Sequence, residues 1–188
     1  MKKVLNHFGR LFHKVNLEFI STAYPKKAFM PGMSQKTFET LTSVDYISFM
    51  TYDYTVTNYP GPNAPLDWIT KTVMEIIPHE KREDIKVTNK IMLGLNFYGM
   101  KFEQPSAPSP IVGQQYLDTI KERKRDSLRW SSVHAEHAFT FRQKNLKTSI
   151  FYPTLKSINE RLEFARKQGL GISIWDLGQG LNYFYDLL

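Results

Sequence analysis

The sequence predicts an α/β fold, in which buried strands alternate with amphipathic helices. Residues 44–54, VDYISFMTYDY, are almost continuously apolar up to Met50, as expected of a parallel strand covered on both faces. Residues 91–97 and 172–175 have the same apolar character, and helical patterns lie between these runs. This alternation favours a parallel sheet with helices packed against it.

The first predicted elements are a helix and a strand. Apolar residues recur at helical spacing from Val4 to Val15 and form one face, which we expect to pack onto a sheet. Residues 17–23, LEFISTA, have the pattern of the strand that follows. A second helix is expected around 34–42, capped by Ser34, before the strand at 44–54.

An irregular segment, NYPGPNAPLDW at 58–68, follows the strand at 44–54. Its three prolines and one glycine exclude a regular element. A helix is then expected over 69–77, ended by Pro78, with the charged residues 79–86 as a solvated connector to the strand at 91–97.

Residues 101–150 interrupt the alternation and predict a small α+β insertion. The expected parts of this insertion are a proline-rich loop at 104–110, a helix at 113–125, and short strands around 128–133, 138–142 and 148–152. The pattern then returns to a helix at 154–168, the strand at 172–175 and a short aromatic helix at 181–188.

Composition excludes several kinds of site. The absence of cysteine excludes disulfides, thiolate chemistry and cysteine-based zinc sites. Of the five histidines, His134 and His137 have a spacing compatible with one helical face, but no third ligand is recognisable. The glycines lack the order of nucleotide-binding loops. We therefore expect no metal and no cofactor.

A net charge of +7 permits attraction to anionic glycans, nucleic acid or acidic membranes. The densest basic run, at 121–125, falls at the end of an amphipathic helix, so we interpret it as solvated and expect no nucleic-acid partner. No apolar run approaches the roughly 18 residues of a transmembrane helix. Residues such as Asn6 and His7 interrupt the apolar stretch near Met1, so we expect no signal peptide in this sequence.

Polar aromatic residues and a carboxylate gather where the predicted strands end. Tyr52 and Asp53 close the strand at 44–54, Asn96 and Tyr98 close the next strand, and Trp175 ends the last one. Ligands of α/β proteins bind beyond the carboxyl ends of parallel strands, so these residues predict a site for a polar ligand.

Several of these residues also fit a purely structural role. Trp175 fits the core as well as a site, and Met50 fits simple packing. Tyr59 and Trp68 are candidate cleft-wall aromatics because they lie in the irregular loop, although Trp68 equally fits an anchor for the following helix.

Three motifs resemble one enzyme family. MTYD at 50–53 resembles the Met-x-Tyr-Asp of the sixth barrel strand of glycoside hydrolase family 18, which contains chitinases and chitinase-like lectins. LGLNFYGM at 93–100 resembles the seventh strand of that family, and GLGISIWDLGQG at 169–180 resembles the eighth. The similarity extends over nearly the whole chain from Leu17 onward.

The resemblance implies the C-terminal half of a (β/α)8 TIM barrel, about strands 5 to 8, with the α+β insertion characteristic of the family. Residues 1–100 would form barrel units 5 to 7, residues 101–150 the insertion, and residues 151–188 the last barrel strand and helices. The fourth-strand motif of the family, Asp-x-x-Asp-x-Asp-x-Glu, does not occur in this sequence. We therefore expect no catalytic residue in this sequence. We also expect the missing N-terminal half of the barrel to be a partner of this chain.

The resemblance also implies roles for the candidate residues in sugar binding. In the family a glutamate protonates the glycosidic oxygen while the acetamide of the sugar attacks the anomeric carbon. Tyr52 and Asp53 would bond the N-acetyl and hydroxyl groups. Trp175 would form the stacking floor of the central subsite, and Tyr98 with Met50 would line its base.

The expected function is binding of an oligosaccharide of the chitin type, or of an anionic glycan, without catalysis by this chain. One alternative is a fragment of an active family 18 glycosidase whose acid lies outside the sequence. Another alternative is a protein-interaction fragment. The resemblance further implies a scavenger-type receptor as a partner, and secretion or the lysosome as the compartment.

Overall fold

The computed structural model describes residues 2–25, 40–77, 88–123, 127–143 and 146–188. Most of the helix expected at 34–42 and all of the connector expected at 79–86 lie outside these ranges. The described helices are α1 Lys2–His13, α2 Leu66–Ile76, α3 Gly113–Glu122 and α4 Leu155–Gln168, with a 3-10 helix over Asn182–Leu187. The described strands are β1 Ile20–Ala23, β2 Tyr46–Phe49, β3 Ile91–Asn96, β4 Gly99–Glu103, β5 Ser109–Ile111, β6 Ser127–Ser131, β7 Glu136–Gln143, β8 Leu146–Phe151 and β9 Gly171–Trp175.

The first sheet contains four strands in the order β1-β2-β3-β9. Strand β1 pairs in parallel with β2, and β2 pairs in parallel with β3, with Ile47 opposite Ile91. All residues of β3 except Met92 are buried. Burial on both faces explains the unbroken apolar run that predicted this strand, and an α/β fold is confirmed.

Strand β2 is shorter than the run of apolar residues from which it was predicted. Its pairing ends at Phe49, because the backbone N–H of Thr51 turns back to the Phe49 carbonyl at 2.8 Å. The Thr51 hydroxyl donates to the Gly94 carbonyl at 2.7 Å. A side-chain hydrogen bond thus replaces the backbone hydrogen bonds where the pairing of β2 ends. Residues 51–54 are therefore irregular, and the Tyr-Asp pair lies just beyond the strand.

The second sheet is antiparallel and contains five strands in the order β5-β4-β8-β7-β6. The sequence did not predict β4, and the prolines at 104–110 indicated a loop in the segment that contains β5. Pro110 is compatible with β5 because that strand lies at the edge, where a missing N–H breaks no inner hydrogen bond. Strand β4 approaches β8 very closely: a Cβ added at Gly99 would lie 2.4 Å from the Phe151 carbonyl oxygen.

The apolar face of α1 packs less than expected. Its large apolar side chains Val4, Phe8, Leu11 and Phe12 remain 38–54% exposed, and Gly9 is the buried residue of the helix. Phe12 stacks on Phe19 at a centroid distance of 5.5 Å. In the part of the chain that the structure describes, this face is therefore only partly covered, through Gly9 and Phe12.

The chain forms two compact units. The first comprises residues 1–51, 70–94 and 163–173, and the second comprises residues 52–69, 95–162 and 174–188. The core of the first unit includes Ile47, Phe49, Ile77, Ile91 and Leu93. The core of the second includes Phe97, Phe102, Ile150, Tyr152 and Phe184. The predicted division at residues 100 and 150 stays a prediction.

A buried ion pair lies in the second unit. Arg161 of α4 is 4% exposed, and its Nη2 lies 3.3 Å from Glu136 Oε1 at the start of β7. The guanidinium also donates to the carbonyls of Ala135 at 2.9 Å and Ser157 at 2.6 Å. Burial raises the pKa of Glu136, while Arg161 and two backbone N–H groups oppose this rise. Such a pair is costly to break, because either partner alone would be an uncompensated buried charge.

We predict that Arg161→Met lowers the free energy of unfolding by about 3–5 kcal/mol, since it leaves the Glu136 carboxylate buried without its cation. Arg166→Met is the matched control, because Arg166 is on the same helix and its side chain is 72% exposed. The control should change stability by less than about 1 kcal/mol. Urea unfolding followed by circular dichroism measures both, and equal losses would contradict a special role for the buried pair.

Candidate functional site

The loop after β2 is closed by hydrogen bonds between its two ends. The backbone N–H of Asp53 donates to Asn63 Oδ1 at 3.0 Å, and the N–H of Tyr54 donates to the Asn63 carbonyl at 2.9 Å. The Thr55 hydroxyl donates to the Pro62 carbonyl at 2.7 Å. Asp53 has a φ of 57°, in the left-handed region that aspartate tolerates better than most residues. These contacts fix where the Asp53 side chain starts.

Asp53 is paired with Tyr98, which follows β3. The Tyr98 hydroxyl donates a short hydrogen bond to Asp53 Oδ1. The amide Nδ2 of Asn96 donates to the Tyr98 carbonyl at 2.8 Å and thereby holds the backbone at the end of β3. Two of the residues that the sequence placed at strand ends are thus in direct contact, and a third supports them.

Burial keeps the two tyrosines near Asp53 in their protonated form. The rings of Tyr52 and Tyr98 meet edge to face, with centroids 6.3 Å apart. Burial, and then the charge of Asp53, raises the pKa of Tyr52 to about 12. Burial, and then the hydrogen bond to Asp53, raises the pKa of Tyr98 further. The Tyr98 phenol is therefore a hydrogen-bond donor at neutral pH, and the Asp53 carboxylate accepts from it.

A cleft of about 440 Å³ opens beside this pair. This volume lies within the roughly 300–1,000 Å³ of typical small-molecule sites. Trp175, the last residue of β9, is 55% exposed, and its carbonyl accepts the N–H of Phe97 at 2.8 Å. The residues that line the cleft are Asp53, Thr55, Val56, Tyr98, Met100, Pro108, Pro110, Trp175 and Gln179. The cleft thus combines a flat apolar ring with a donor and an acceptor.

Six lining residues were not predicted from the sequence. Thr55 and Val56 belong to the loop after the Tyr-Asp pair, and Met100 closes the run LGLNFYGM. Pro108 and Pro110 come from the segment expected to be a loop, and Gln179 lies in the run WDLGQG. Their proximity in sequence to the motifs was the available indication, but periodicity does not show which loop residues turn toward a cleft.

The other predicted residues lie elsewhere. Tyr52 and Asn96 are buried and are not among the residues that line the cleft. Met50 belongs to the first unit, where its N–H donates to the Ala23 carbonyl at 2.9 Å. Tyr59 is 76% exposed, outside the cleft lining. Trp68 is half-buried outside the cleft lining and packs against Tyr54 with ring centroids 5.1 Å apart.

Within the described residues, no group of three or more acidic or histidine side chains has the arrangement to hold a metal ion. His134 Nδ1 lies 3.0 Å from Asp67 Oδ1, and His137 Nδ1 lies 2.9 Å from the Thr154 hydroxyl, so each has its own partner. None of the helices that the structure describes has the length and apolarity to cross a membrane.

Several solved structures are similar to this one. A chitinase from Chromobacterium violaceum has a TM-score of 0.77 at 20% sequence identity, covering 99% of this chain and 59% of that one. The chitinase-like agglutinin of Robinia pseudoacacia has a TM-score of 0.69 at 20% identity, covering 99% and 60% respectively. The spore cortex-lytic enzyme SleL of Bacillus cereus has a TM-score of 0.72 at 17% identity, covering 99% and 46%.

This chain therefore spans 46–60% of the length of those three proteins. At such low identity the likeness concerns the fold, and the receptor partner and the compartment stay predictions. The family model described as glycosyl hydrolases family 18 matches residues 2–180. Because that match covers almost the whole chain, the protein belongs to glycosyl hydrolases family 18.

Proposed function

We propose that this protein binds an N-acetylated oligosaccharide of the chitin type in the cleft that contains Asp53, Tyr98 and Trp175. The observation that carries the proposal is the exposed indole of Trp175 on the wall of the same cleft as the Tyr98–Asp53 pair. Membership of the family, and structural likeness to chitinases and a chitinase-like agglutinin, support a glycan as the ligand.

The chemistry of the cleft suits a sugar ring. An indole presents a flat apolar surface to the C–H face of a pyranose, while the ring hydroxyls remain free for hydrogen bonds. The Asp53 carboxylate lines the cleft, and a carboxylate accepts the N–H or O–H groups that a sugar offers. Tyr52 supports this pair by its edge contact with Tyr98, and its role in sugar binding stays a prediction. The net charge of +7 also favours acidic substituents on the glycan.

The same proposal holds that this chain positions the sugar without supplying the acid that cleaves it. No Asp-x-x-Asp-x-Asp-x-Glu run occurs in the sequence. The strand order β1-β2-β3-β9, with β1, β2 and β3 parallel, fits about strands 5 to 8 of a (β/α)8 barrel. The chain spans 59% of the length of the similar chitinase. Sequencing the transcript upstream of the Met1 codon tests this: an in-frame segment with four more strand–helix units and a fourth-strand glutamate would favour the active glycosidase instead.

We also propose a secreted or lysosomal compartment, which rests on the family resemblance and on the glycan ligand. Fractionation of cells that produce the tagged full-length product tests it, and recovery in the cytosolic fraction alone would contradict it.

We predict that Trp175→Ala weakens the binding of chitotetraose by about tenfold, since ring stacking contributes about 0.5–1.5 kcal/mol beyond simple area burial. Isothermal titration calorimetry on the protein gives the affinity. Trp130→Phe is the control, because Trp130 does not line the cleft and packs against His137 instead. Unaltered affinity in Trp175→Ala would reject the proposed sugar platform.

We predict that Tyr98→Phe weakens chitotetraose binding by roughly 10- to 100-fold. The variant loses a hydrogen bond to a charged group, which contributes about 1.5–3 kcal/mol, and this loss frees the Asp53 carboxylate to rotate. Tyr59→Phe removes the same hydroxyl from an exposed position outside the cleft and should leave the affinity unchanged. Similar losses in both variants would show that the Tyr98–Asp53 pair has no particular role.

We predict that the protein releases no fluorophore from a fluorogenic chitobioside while it still binds chitotetraose, because it lacks the family's acid motif. A fluorescence assay with an active chitinase as the positive control measures this. Release that disappears in Asp53→Ala would contradict the non-catalytic part of the proposal.

A further inference from the structure

We propose that Glu136 and Arg161 are positioning residues for the cleft, and that they act through Asn63 to hold the Asp53 carboxylate beside Tyr98. As far as sugar binding is concerned, this inference rests on the proposed function. The placement of Asp53 itself does not depend on any ligand and is measurable without one.

The first step of the argument is the contact between the ion pair and the loop. Glu136 Oε2 accepts the N–H of Asn63 at 3.0 Å, and Oε1 accepts the N–H of Ala64 at 2.6 Å. Arg161 Nη2 donates to the Ala64 carbonyl. The Glu136 carboxylate therefore binds the N–H groups of Asn63 and Ala64, and the Arg161 guanidinium binds the carbonyl of Ala64. Together they hold the backbone of two consecutive residues.

The second step joins Asn63 to the cleft. The Asn63 side-chain oxygen accepts the N–H of Asp53, and the Asn63 carbonyl accepts the N–H of Tyr54. Asn63, near one end of the loop, therefore binds two consecutive residues at the other end. Between these ends the loop is open to solvent, with Val56 65% exposed and Tyr59 76% exposed. Packing contacts in the middle of the loop are too few to fix its conformation, so the hydrogen bonds at its ends determine its geometry.

The third step is the geometry of Asp53. A φ of 57° is unusual for a residue other than glycine and persists where surrounding contacts impose it. The hydrogen bond to Asn63 Oδ1 is such a contact, and the Tyr98 hydroxyl then meets the carboxylate. Thr55 and Val56, two residues further along, line the same cleft. A shift of Asn63 therefore moves both the acceptor and part of the wall.

Glu136→Gln is the decisive variant, because it changes the ion pair without touching Tyr98. Asn63→Ala tests the next step, since it removes the acceptor for the Asp53 N–H and also the amide beside the Tyr98 hydroxyl. Glu136→Gln keeps the volume but replaces one carboxylate oxygen by an NH2 group, which cannot accept from the loop. Glu103→Gln is the matched control, because Glu103 of β4 forms a half-exposed ion pair with Lys101 at 2.9 Å and does not line the cleft. Circular dichroism confirms folding of each variant.

The readout is fluorine NMR with fluorotyrosine incorporated at Tyr98, recorded without sugar. Asp53→Ala gives the reference resonance of a Tyr98 hydroxyl that has lost its carboxylate partner. We expect the resonance in Asn63→Ala and Glu136→Gln to move toward this reference, and the affinity for chitotetraose to fall about tenfold. The Glu103→Gln protein should match the unsubstituted one in both measurements.

An unchanged Tyr98 resonance in folded Glu136→Gln would overturn the inference, whatever the affinity. If Glu136→Gln does not fold, Arg161→Lys takes its place, because it keeps a cation beside Glu136 but loses the guanidinium contact with the Ala64 carbonyl. If the unsubstituted protein does not bind chitotetraose, the proposed function fails. A shifted resonance in Glu136→Gln would still support the positioning role in that case.

Discussion

The buried contact between Glu136 and Arg161 is the constraint on which the second unit depends most. A carboxylate and a guanidinium lose several kcal/mol of hydration each when they are removed from water, and their mutual attraction offsets this only with further hydrogen bonds. The structure supplies those bonds from the backbone of Asn63, Ala64 and Ser157. The pair is thus satisfied in one arrangement of three segments, which are the loop after β2, the start of β7 and helix α4.

This arrangement explains how loop residues without regular secondary structure form a cleft of fixed geometry. Parallel strands deliver side chains to their carboxyl ends, but the direction of each side chain depends on the loop that follows. Here Asp53 begins a loop whose far end is held at Asn63, and Tyr98 begins the passage from β3 into β4. The acceptor and the donor therefore come from two different connections and meet in a single hydrogen bond.

The sequence was sufficient for the features that depend on local pattern. Strand β3 followed from its apolar run, and Asp53, Tyr98 and Trp175 followed from their place at strand ends. The buried pair was not predictable in this way, because its contacts join residues 25 and 72 or 73 positions apart and each charge alone looks like a solvated one. Strand β5 was missed because prolines usually indicate a loop, whereas an edge strand such as β5 tolerates them.

The proline in β5 has a consequence for how the protein behaves in solution. The outer edge of a sheet is a template onto which another chain can add a strand, and natural proteins shorten or blunt such edges. Strand β5 is three residues long, and Pro110 at its centre has no N–H with which to bind an added strand. The side of the antiparallel sheet that borders the cleft is therefore a poor nucleus for intermolecular sheet growth, which leaves that border accessible to a soluble ligand.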